Sequence, residues 1–479
     1  MVESVEPLSS FLARRKAAFS DIGQLQQAAA ALRKSNVCVW CVLRYLGFEL
    51  GSVYQQQADI AAKLAISNAT DLPCVACLGI LDYDVADQVV AKYCEQQFDA
   101  TDVVIGIELP KSIVVRHRSM QLYCSSNHIP ILPDMVDIKD AIKYMISQQL
   151  FKQSGIHVVG ESEMRIDMIF THPESSSECQ FLKQDTAGKR RNGNGDSRTT
   201  IMNELAACSD EKFLANFASP PATISKASLL ETVEFKRASL FVGGRYLKLE
   251  RNVSQTPFII NGRRVTEFSV AEIIGEPLKL LTRCDSYNLV GSGREDADVR
   301  MLGDGRPFYL ECINPRATQL EQQQIRDIET TLQTNTLVQV RRLQLIRPED
   351  TKIIKEGEEN KTKHYCALVW FANQLSEEKL REINQLGQTE IVLQQRTPVR
   401  VLHRRAPLTR PKRILSLKVE HIQGRFYKAS VESEAGTYIK EFVHGDLGRT
   451  VPSLAQMANE TADILELDVE KVSLDFPLS

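Results

Sequence analysis

The sequence of 479 residues predicts an α+β protein, with a large mixed, mostly antiparallel sheet in its C-terminal half and a mixed α/β region before it. Three observations lead to this prediction. The chain is too long for one hydrophobic core, so two to four domains are expected. Two Cys-x-x-Cys pairs lie near the N-terminus. After residue 223, short β-like runs are separated by turns and by occasional helix-like insertions.

The first 80 residues are predicted to form a helical segment that binds a metal. An Ala/Gln/Leu-rich amphipathic pattern over residues 11–35 predicts a helix that leads into the first cysteine pair. The four cysteines of the two pairs are Cys38, Cys41, Cys74 and Cys77. Two such pairs complete a four-thiolate structural zinc site, which has no open position for a substrate. Reduced core thiols or a redox pair are the alternative.

Residues 81–222 are predicted to form a mixed α/β domain. Val103–Glu108 and Met164–Thr171 are β-like runs, and Ile138–Phe151 between them is helix-like. The stretch 183–200 is polar, basic and contains glycine, so it is predicted to be a flexible loop.

Residues 223–479 are predicted to contain the large sheet. Seven segments have the composition of strands: Ala238–Gly243, Pro307–Ile313, Leu337–Ile346, Tyr365–Phe371, Glu390–Gln394, Ile414–His421 and Phe426–Glu432. Four segments have helical periodicity: Val270–Leu280, Gln319–Gln333, Ser376–Leu386 and Ser453–Leu465.

The composition predicts a globular protein without a membrane span. Hydrophobic residues make up 43% of the chain and charged residues 25%, and no apolar run approaches the roughly 20 residues that cross a bilayer. The N-terminus has no basic residue followed by an apolar stretch, so no secretory signal is expected. We therefore expect a protein of the nucleus, the cytoplasm or both.

The densest polar cluster of the C-terminal half lies in the glycine-rich segment Gly291–Arg300. Glycines favour turns here, and the acids Asp296 and Asp298 project from them. An acidic surface loop is the ordinary outcome of such a pattern. A pair of metal-binding aspartates for phosphoester chemistry is a second interpretation, although no histidine or asparagine cluster nearby supplies further ligands.

A basic segment lies at residues 396–413. It contains seven Lys or Arg residues and no Asp or Glu, whereas the whole chain has a net charge of -3. Such a local density suits contacts with phosphates. A solvated basic loop is the alternative.

Four segments together resemble the tRNA pseudouridine synthase ten family, the stand-alone branch of eukaryotes and archaea. They are Gly291–Arg300, Thr362–Trp370, Gln395–Arg405 and Ala435–Asp446. The resemblance covers residues 223–479 and, more loosely, the N-terminal part. It implies the pseudouridine synthase catalytic fold, preceded by a zinc-binding segment and a THUMP-type RNA-binding domain. It also implies modification of uridines in the T-arm of tRNA, at positions fifty-four, fifty-five or both.

The resemblance also assigns roles to residues. The segment 293–296 is similar to the Gly-Arg-Xaa-Asp motif that carries the essential aspartate, which gives this role to Asp296. Tyr365 would stack on the target base, Ile439 would form an apolar wall, and Lys440 would be the basic partner of the aspartate.

The chemistry of uridine isomerisation agrees with these roles. A carboxylate can act as nucleophile at the sugar carbon or as base on the sugar, and a cation beside it keeps it ionised. An aromatic ring can hold the extruded base by its face. No organic cofactor is expected, because the sequence contains no nucleotide-cofactor fingerprint and no P-loop.

The expected partner is tRNA, bound by a monomer. The side chains expected to contact it are Arg294, Arg400, His403, Arg404 and Arg405. His403 could equally be a core or hinge residue. A non-catalytic RNA-binding adaptor with the same fold is the alternative function, and a metal-dependent phosphoesterase that uses Asp296 and Asp298 is a second one.

Overall fold

The structure is a computed structural model, and it describes the following residues: 8–51, 57–67, 72–130, 132, 135–185, 197–403 and 405–478. The chain divides into two compact units, Met1–Arg237 and Ala238–Ser479. Among the described helices, none combines the length and the apolar character needed to cross a membrane. Arg404 and the greater part of the predicted loop 183–200 lie outside the described residues.

The first unit contains helices and a four-stranded sheet. Its described strands are β1 (Asp102–Glu108), β2 (His157–Val158), β3 (Met164–Thr171) and β4 (Leu229–Arg237). The strand order is β2-β1-β3-β4, with β1 parallel to both neighbours and β4 antiparallel to β3. Its described helices are Leu8–Arg14, Ile22–Lys34, Val39–Tyr45, Gln57–Lys63, Tyr83–Gln96, Ser112–Ser126, Ile138–Ser154, Arg198–Ala207 and Asp210–Asn216.

The predicted segments 1–80 and 81–222 both lie in this compact unit. They share one hydrophobic core, which runs from Phe11 to Ile224. The unit extends to Arg237, because β4 continues the hydrogen-bonded ladder of β3.

The second unit is built on one large sheet. Its described strands are β5 (Leu240–Lys248), β6 (Ile259–Ile260), β7 (Arg263–Arg264), β8 (Ser286–Gly291), β9 (Arg300–Ile313), β10 (Val338–Ile346), β11 (Lys363–Phe371), β12 (Ile391–Arg396), β13 (Thr409–Gln423), β14 (Phe426–Ser433), β15 (Thr450–Val451) and β16 (Ala462–Val472). Its described helices are Val270–Thr282, Gln322–Gln333, Thr351–Asn360, Glu377–Leu386, Ile439–His444 and Leu454–Ala458.

Ten of the described strands form the large sheet in the order β10-β5-β9-β16-β11-β14-β13-β12-β15, with β8 paired to β9. Only the pair β9 and β16 is parallel among these described neighbours. Strands β6 and β7 form a separate hairpin. The predicted α+β class with a large mixed, mostly antiparallel sheet is therefore confirmed.

One predicted helix is wrong in its second half. Sequence periodicity predicts a helix over Ser453–Leu465, but the helix ends at Ala458. Asn459 then adopts a left-handed conformation with φ 53°, a common way to end a helix. The chain continues as β16, which pairs with β11 along most of its length. Pairing inside the sheet has overridden the local helical pattern.

Candidate active site

Asp296 lies on the loop that joins two neighbouring strands, β8 and β9. The loop turns at Gly293, whose φ of 79° favours glycine. An added Cβ at this position would lie 2.7 Å from Nζ of Lys363. The positive φ is therefore what favours glycine in the motif, because the flexible end of Lys363 could move aside for a side chain.

A buried polar network fixes the backbone on both sides of Asp296. The carboxylate of Glu295 accepts hydrogen bonds from Nε of Arg306 at 2.7 Å and from the hydroxyl of Tyr246 at 3.0 Å. Nζ of Lys248, which is fully buried, donates to the main-chain oxygen of Asp296 at 2.9 Å. These partners lie on β5 and β9, so the sheet itself holds the loop in position.

Two cations lie beside the Asp296 carboxylate. Its Oδ2 is 3.0 Å from Nη1 of Arg400 and 3.4 Å from Nζ of Lys440. Lys440 also donates to Oδ2 of Asp298 at 2.7 Å. Burial acts to raise the pKa of Asp298, but the hydrogen bond and the charge of Lys440 outweigh it and lower that pKa. Because Lys440 bridges the two carboxylates, the arrangement disfavours a metal held between them.

Asp296 opens onto a cleft of about 430 Å³. Four residues predicted to be catalytic line it: Asp296, Tyr365, Ile439 and Lys440. Three predicted RNA contacts also line it: Arg294, Arg400 and Arg405. Tyr365 projects from β11, and its burial raises its pKa to about 12, so the phenol is neutral at physiological pH. His403 is exposed and is not among the residues that line the cleft.

Two further residues that line the cleft, and one buried residue that contacts Arg400, were not identified from the sequence. Lys363 lines the cleft two residues before Tyr365 on the same strand, where side chains share a face, so strand periodicity could have found it. The hydroxyl of Tyr438 accepts from Nη1 of Arg405 at 3.0 Å. The buried carboxylate of Glu441 accepts from Nε of Arg400 at 2.7 Å.

The four predicted cysteine ligands come together in the first unit. Their Sγ atoms all lie within 4.8 Å of one another, and those of Cys38 and Cys77 are 3.8 Å apart. A tetrahedral zinc ion with Zn–S bonds of about 2.3 Å would place its sulfurs roughly 3.8 Å apart. The cysteines therefore fit a metal ion. Of the residues that the structure describes, no other group of three or more potential ligands is so arranged.

Comparison with known proteins identifies the family. The family model "Pus10, C-terminal" matches residues 241–473, and "Eukaryotic Pus10, N-terminal" matches residues 74–234. The chain is 37% identical over 419 residues to the tRNA pseudouridine synthase Pus10 of Xenopus laevis, which covers 85% of this chain and 81% of that protein. The chain belongs to the Pus10 family. The human Pus10 protein is 35% identical over 84% of this chain and 79% of its own length.

Pus10 relatives also occur in archaea. The protein of Archaeoglobus fulgidus is 39% identical over 254 residues, which is 50% of this chain and 69% of that protein. A solved Cbf5-Nop10-Gar1 complex matches with 16% identity and a TM-score of 0.27, over 48% of each chain. The assignment rests on the Pus10 sequence relatives, which are named tRNA pseudouridine synthases. The predicted family and the predicted enzyme class are confirmed.

Proposed function

We propose that this chain isomerises uridine to pseudouridine in the T-arm of tRNA, at positions fifty-four, fifty-five or both, with Asp296 as the essential carboxylate. One observation carries the proposal. Asp296 lies in a cleft together with Tyr365, and two cations lie within 3.4 Å of its carboxylate. The names of the Pus10 relatives support tRNA as the substrate class.

The proposed reaction breaks the bond between N1 of uracil and C1′ of the ribose, and it forms a bond between C5 and the same C1′. The base loses its C5 proton to solvent and gains a proton on N1, so no redox partner or group donor is needed. Asp296 acts as nucleophile at C1′ or as base on the sugar. Arg400 and Lys440 stabilise its negative charge in either role.

The target base must leave its stack to reach Asp296. We assign Tyr365 to stack on the extruded base and Ile439, which is buried at the start of a helix, to the apolar wall. The cleft volume of about 430 Å³ lies within the usual range for ligand pockets, about 300–1,000 Å³. Arg294 and Arg405 are exposed at the same cleft, where they can contact phosphates of the bound RNA.

We further propose that the first unit is an RNA-binding accessory region, with a THUMP-type domain over 81–222 and a structural zinc ion. Cys38, Cys41, Cys74 and Cys77 would hold the ion. When bound, zinc would stabilise the fold and take no part in the reaction, because four thiolates fill its coordination. The expected substrate, tRNA, then implies a site of action inside the cell.

The test is release of tritium from unmodified tRNA that is labelled at C5 of uridine. Wild type should release tritium without added divalent metal, and Asp296→Asn should release none while it binds tRNA as tightly as wild type. Asp304→Asn, which changes an exposed acid outside the cleft, is the matched control and should release tritium at the wild-type rate. No release by wild type, with tight tRNA binding retained, would indicate the adaptor function instead.

The position of modification is tested with the same assay. Transcripts that carry cytidine in place of uridine at position fifty-four, at position fifty-five or at both remove one target at a time. If only one of the two single replacements abolishes tritium release, the activity is assigned to the replaced position. Full release from the doubly replaced transcript would exclude the T-arm assignment.

A further inference from the structure

Arg400 is held on three sides inside the cleft. Its Nη1 is 3.0 Å from Oδ2 of Asp296, and its Nε donates to Oε1 of Glu441 at 2.7 Å. Its guanidinium carbon lies 5.8 Å from the ring centroid of Tyr438. Because the guanidinium is a planar fork, an acceptor fixed at Nε determines where the Nη atoms point. The contact with Glu441 thus determines the approach of Arg400 to Asp296.

A contribution to folding stability does not explain why residue 441 carries a carboxylate. Its side chain is 2% exposed, and within the described part of the chain its Oε2 has no hydrogen-bond partner. Leaving a buried polar atom unsatisfied costs about 1–3 kcal/mol. Buried ion pairs contribute little net stability compared with well-packed apolar side chains. The next two residues, Phe442 and Val443, are apolar and fully buried, so an apolar residue at 441 would suit this environment better.

The backbone around Arg400 is held without Glu441. The side-chain amide of Gln395 donates to the main-chain oxygen of Tyr438 and accepts from its main-chain nitrogen, both at 3.0 Å. The main-chain nitrogen of Val399 donates to Oδ2 of Asp446 at 3.2 Å. These bonds join the segment that carries Arg400 to the helix Ile439–His444. What Glu441 adds is the orientation of one guanidinium.

We propose that Glu441 is a positioning residue of the reaction, which acts only by holding Arg400 against Asp296. This inference rests on the proposed function of the cleft. Without the carboxylate of Glu441, the guanidinium of Arg400 can turn away from Asp296. Of the two cations described beside Asp296, Lys440 then remains. The chemical step should then slow, whereas RNA binding should hardly change, because the proposed phosphate contacts, Arg294 and Arg405, do not touch the buried Glu441.

The experiment compares two variants in single-turnover tritium release from C5-labelled tRNA. Glu441→Leu removes the acceptor and fills the volume, and we expect its rate to fall about 10- to 100-fold. Glu441→Gln keeps a neutral acceptor and should have an intermediate rate. Both should bind tRNA within about twofold of wild type, since the loss is one of transition-state stabilisation. If Glu441→Leu does not fold, Glu441→Gln alone is compared with Arg400→Ala.

A double-mutant cycle separates positioning from an independent effect. Arg400→Ala combined with either Glu441 variant should be no slower than Arg400→Ala alone, because residue 441 then has nothing to orient. Glu434→Gln is the matched control. This carboxylate pairs with Arg413 at 2.9 Å, does not line the cleft, and should be replaceable without a change in rate.

Two results would overturn the inference while the proposed function stands: a wild-type rate in the Glu441 variants, or additive losses in the cycle. A loss of tRNA affinity equal to the loss of rate would also overturn it, because Glu441 would then act on binding. Absence of release by wild-type protein would instead overturn the proposed function, and this inference with it.

Discussion

The four-cysteine group and the Asp296 cleft differ in how their residues are spread along the chain. Cys38 and Cys77 are 39 residues apart, and each pair shows the spacing of a metal knuckle. In the cleft, Asp296 meets Arg400 across 104 residues, and Lys440 meets Asp298 across 142. Cysteines that lie close together along the chain can be recognised from their spacing. A charged site that a sheet assembles can be recognised only where one of its residues lies in a known motif.

The largest effect is expected when one thiolate of the four-cysteine group is removed. Cys74→Ser should abolish metal binding and disrupt the fold of the first unit, because the free energy of binding a structural zinc, about 10–16 kcal/mol in zinc-finger peptides, is coupled to folding. Metal content by mass spectrometry and the rate of proteolysis of the first unit measure this effect.

Cys94→Ser is the matched control, since Cys94 is exposed on a helix and is not part of the group. It should keep both the metal and resistance to proteolysis. The zinc assignment would be contradicted if purified wild type contained no metal, or if Cys74→Ser retained one equivalent of metal. Reduced core thiols would then be the remaining interpretation.

The second prediction concerns the buried support of the cleft. Glu295→Ala would leave Arg306 without its ion-pair partner in the core and Lys248 without a carboxylate 3.9 Å away. Breaking a buried ion pair in this way costs about 3–5 kcal/mol in the free energy of unfolding. Urea denaturation of the full chain, followed by fluorescence and compared with Asp304→Ala, measures it. A loss no larger than that of the control would mean that the network does not hold the Asp296 loop.

These two regions also show how far the sequence could lead. Periodicity predicted most strands of the large sheet, and the family resemblance assigned roles to Asp296, Tyr365 and Lys440, which line one cleft. Glu295 lies in the same motif, but its role depends on partners on β5 and β9, which are adjacent only after the sheet forms. The charge of the segment around Arg400 predicts a contact with RNA. The sequence does not show that Arg400 lies 3.0 Å from Asp296, because the two residues are brought together only by the fold.

A third, smaller effect is expected at Asp298. Asp298→Asn removes one of the two carboxylates that Lys440 bridges, and Asp296 keeps both cations. Because Asp298 is largely exposed, its pair with Lys440 is worth at most about 1 kcal/mol, which limits the loss of tritium-release rate to about fivefold.

The pH dependence of this effect has a definite sign. The pKa of Asp298 is lowered, so its pairing is fully present above the ordinary carboxyl value of about 3.9 and is lost only as pH falls through the lowered pKa. The rate ratio of wild type to Asp298→Asn should therefore stay constant between about pH 6 and 8. A complete loss of activity, equal to that of Asp296→Asn, would restore the paired-acid interpretation.

The smallest effects are expected on the basic segment, where two neighbouring side chains differ in position. Arg405 lines the cleft and donates to Tyr438, whereas His403 is exposed away from the lining. If Arg405 neutralises one phosphate, Arg405→Ala should reduce the slope of log affinity against log salt by about 0.7–0.9. His403→Ala should leave that slope unchanged. If the slope of log affinity against log salt is the same for wild type and both variants, Arg405 does not contact a phosphate. The basic segment 396–413 would then be a solvated loop, which its composition also allows.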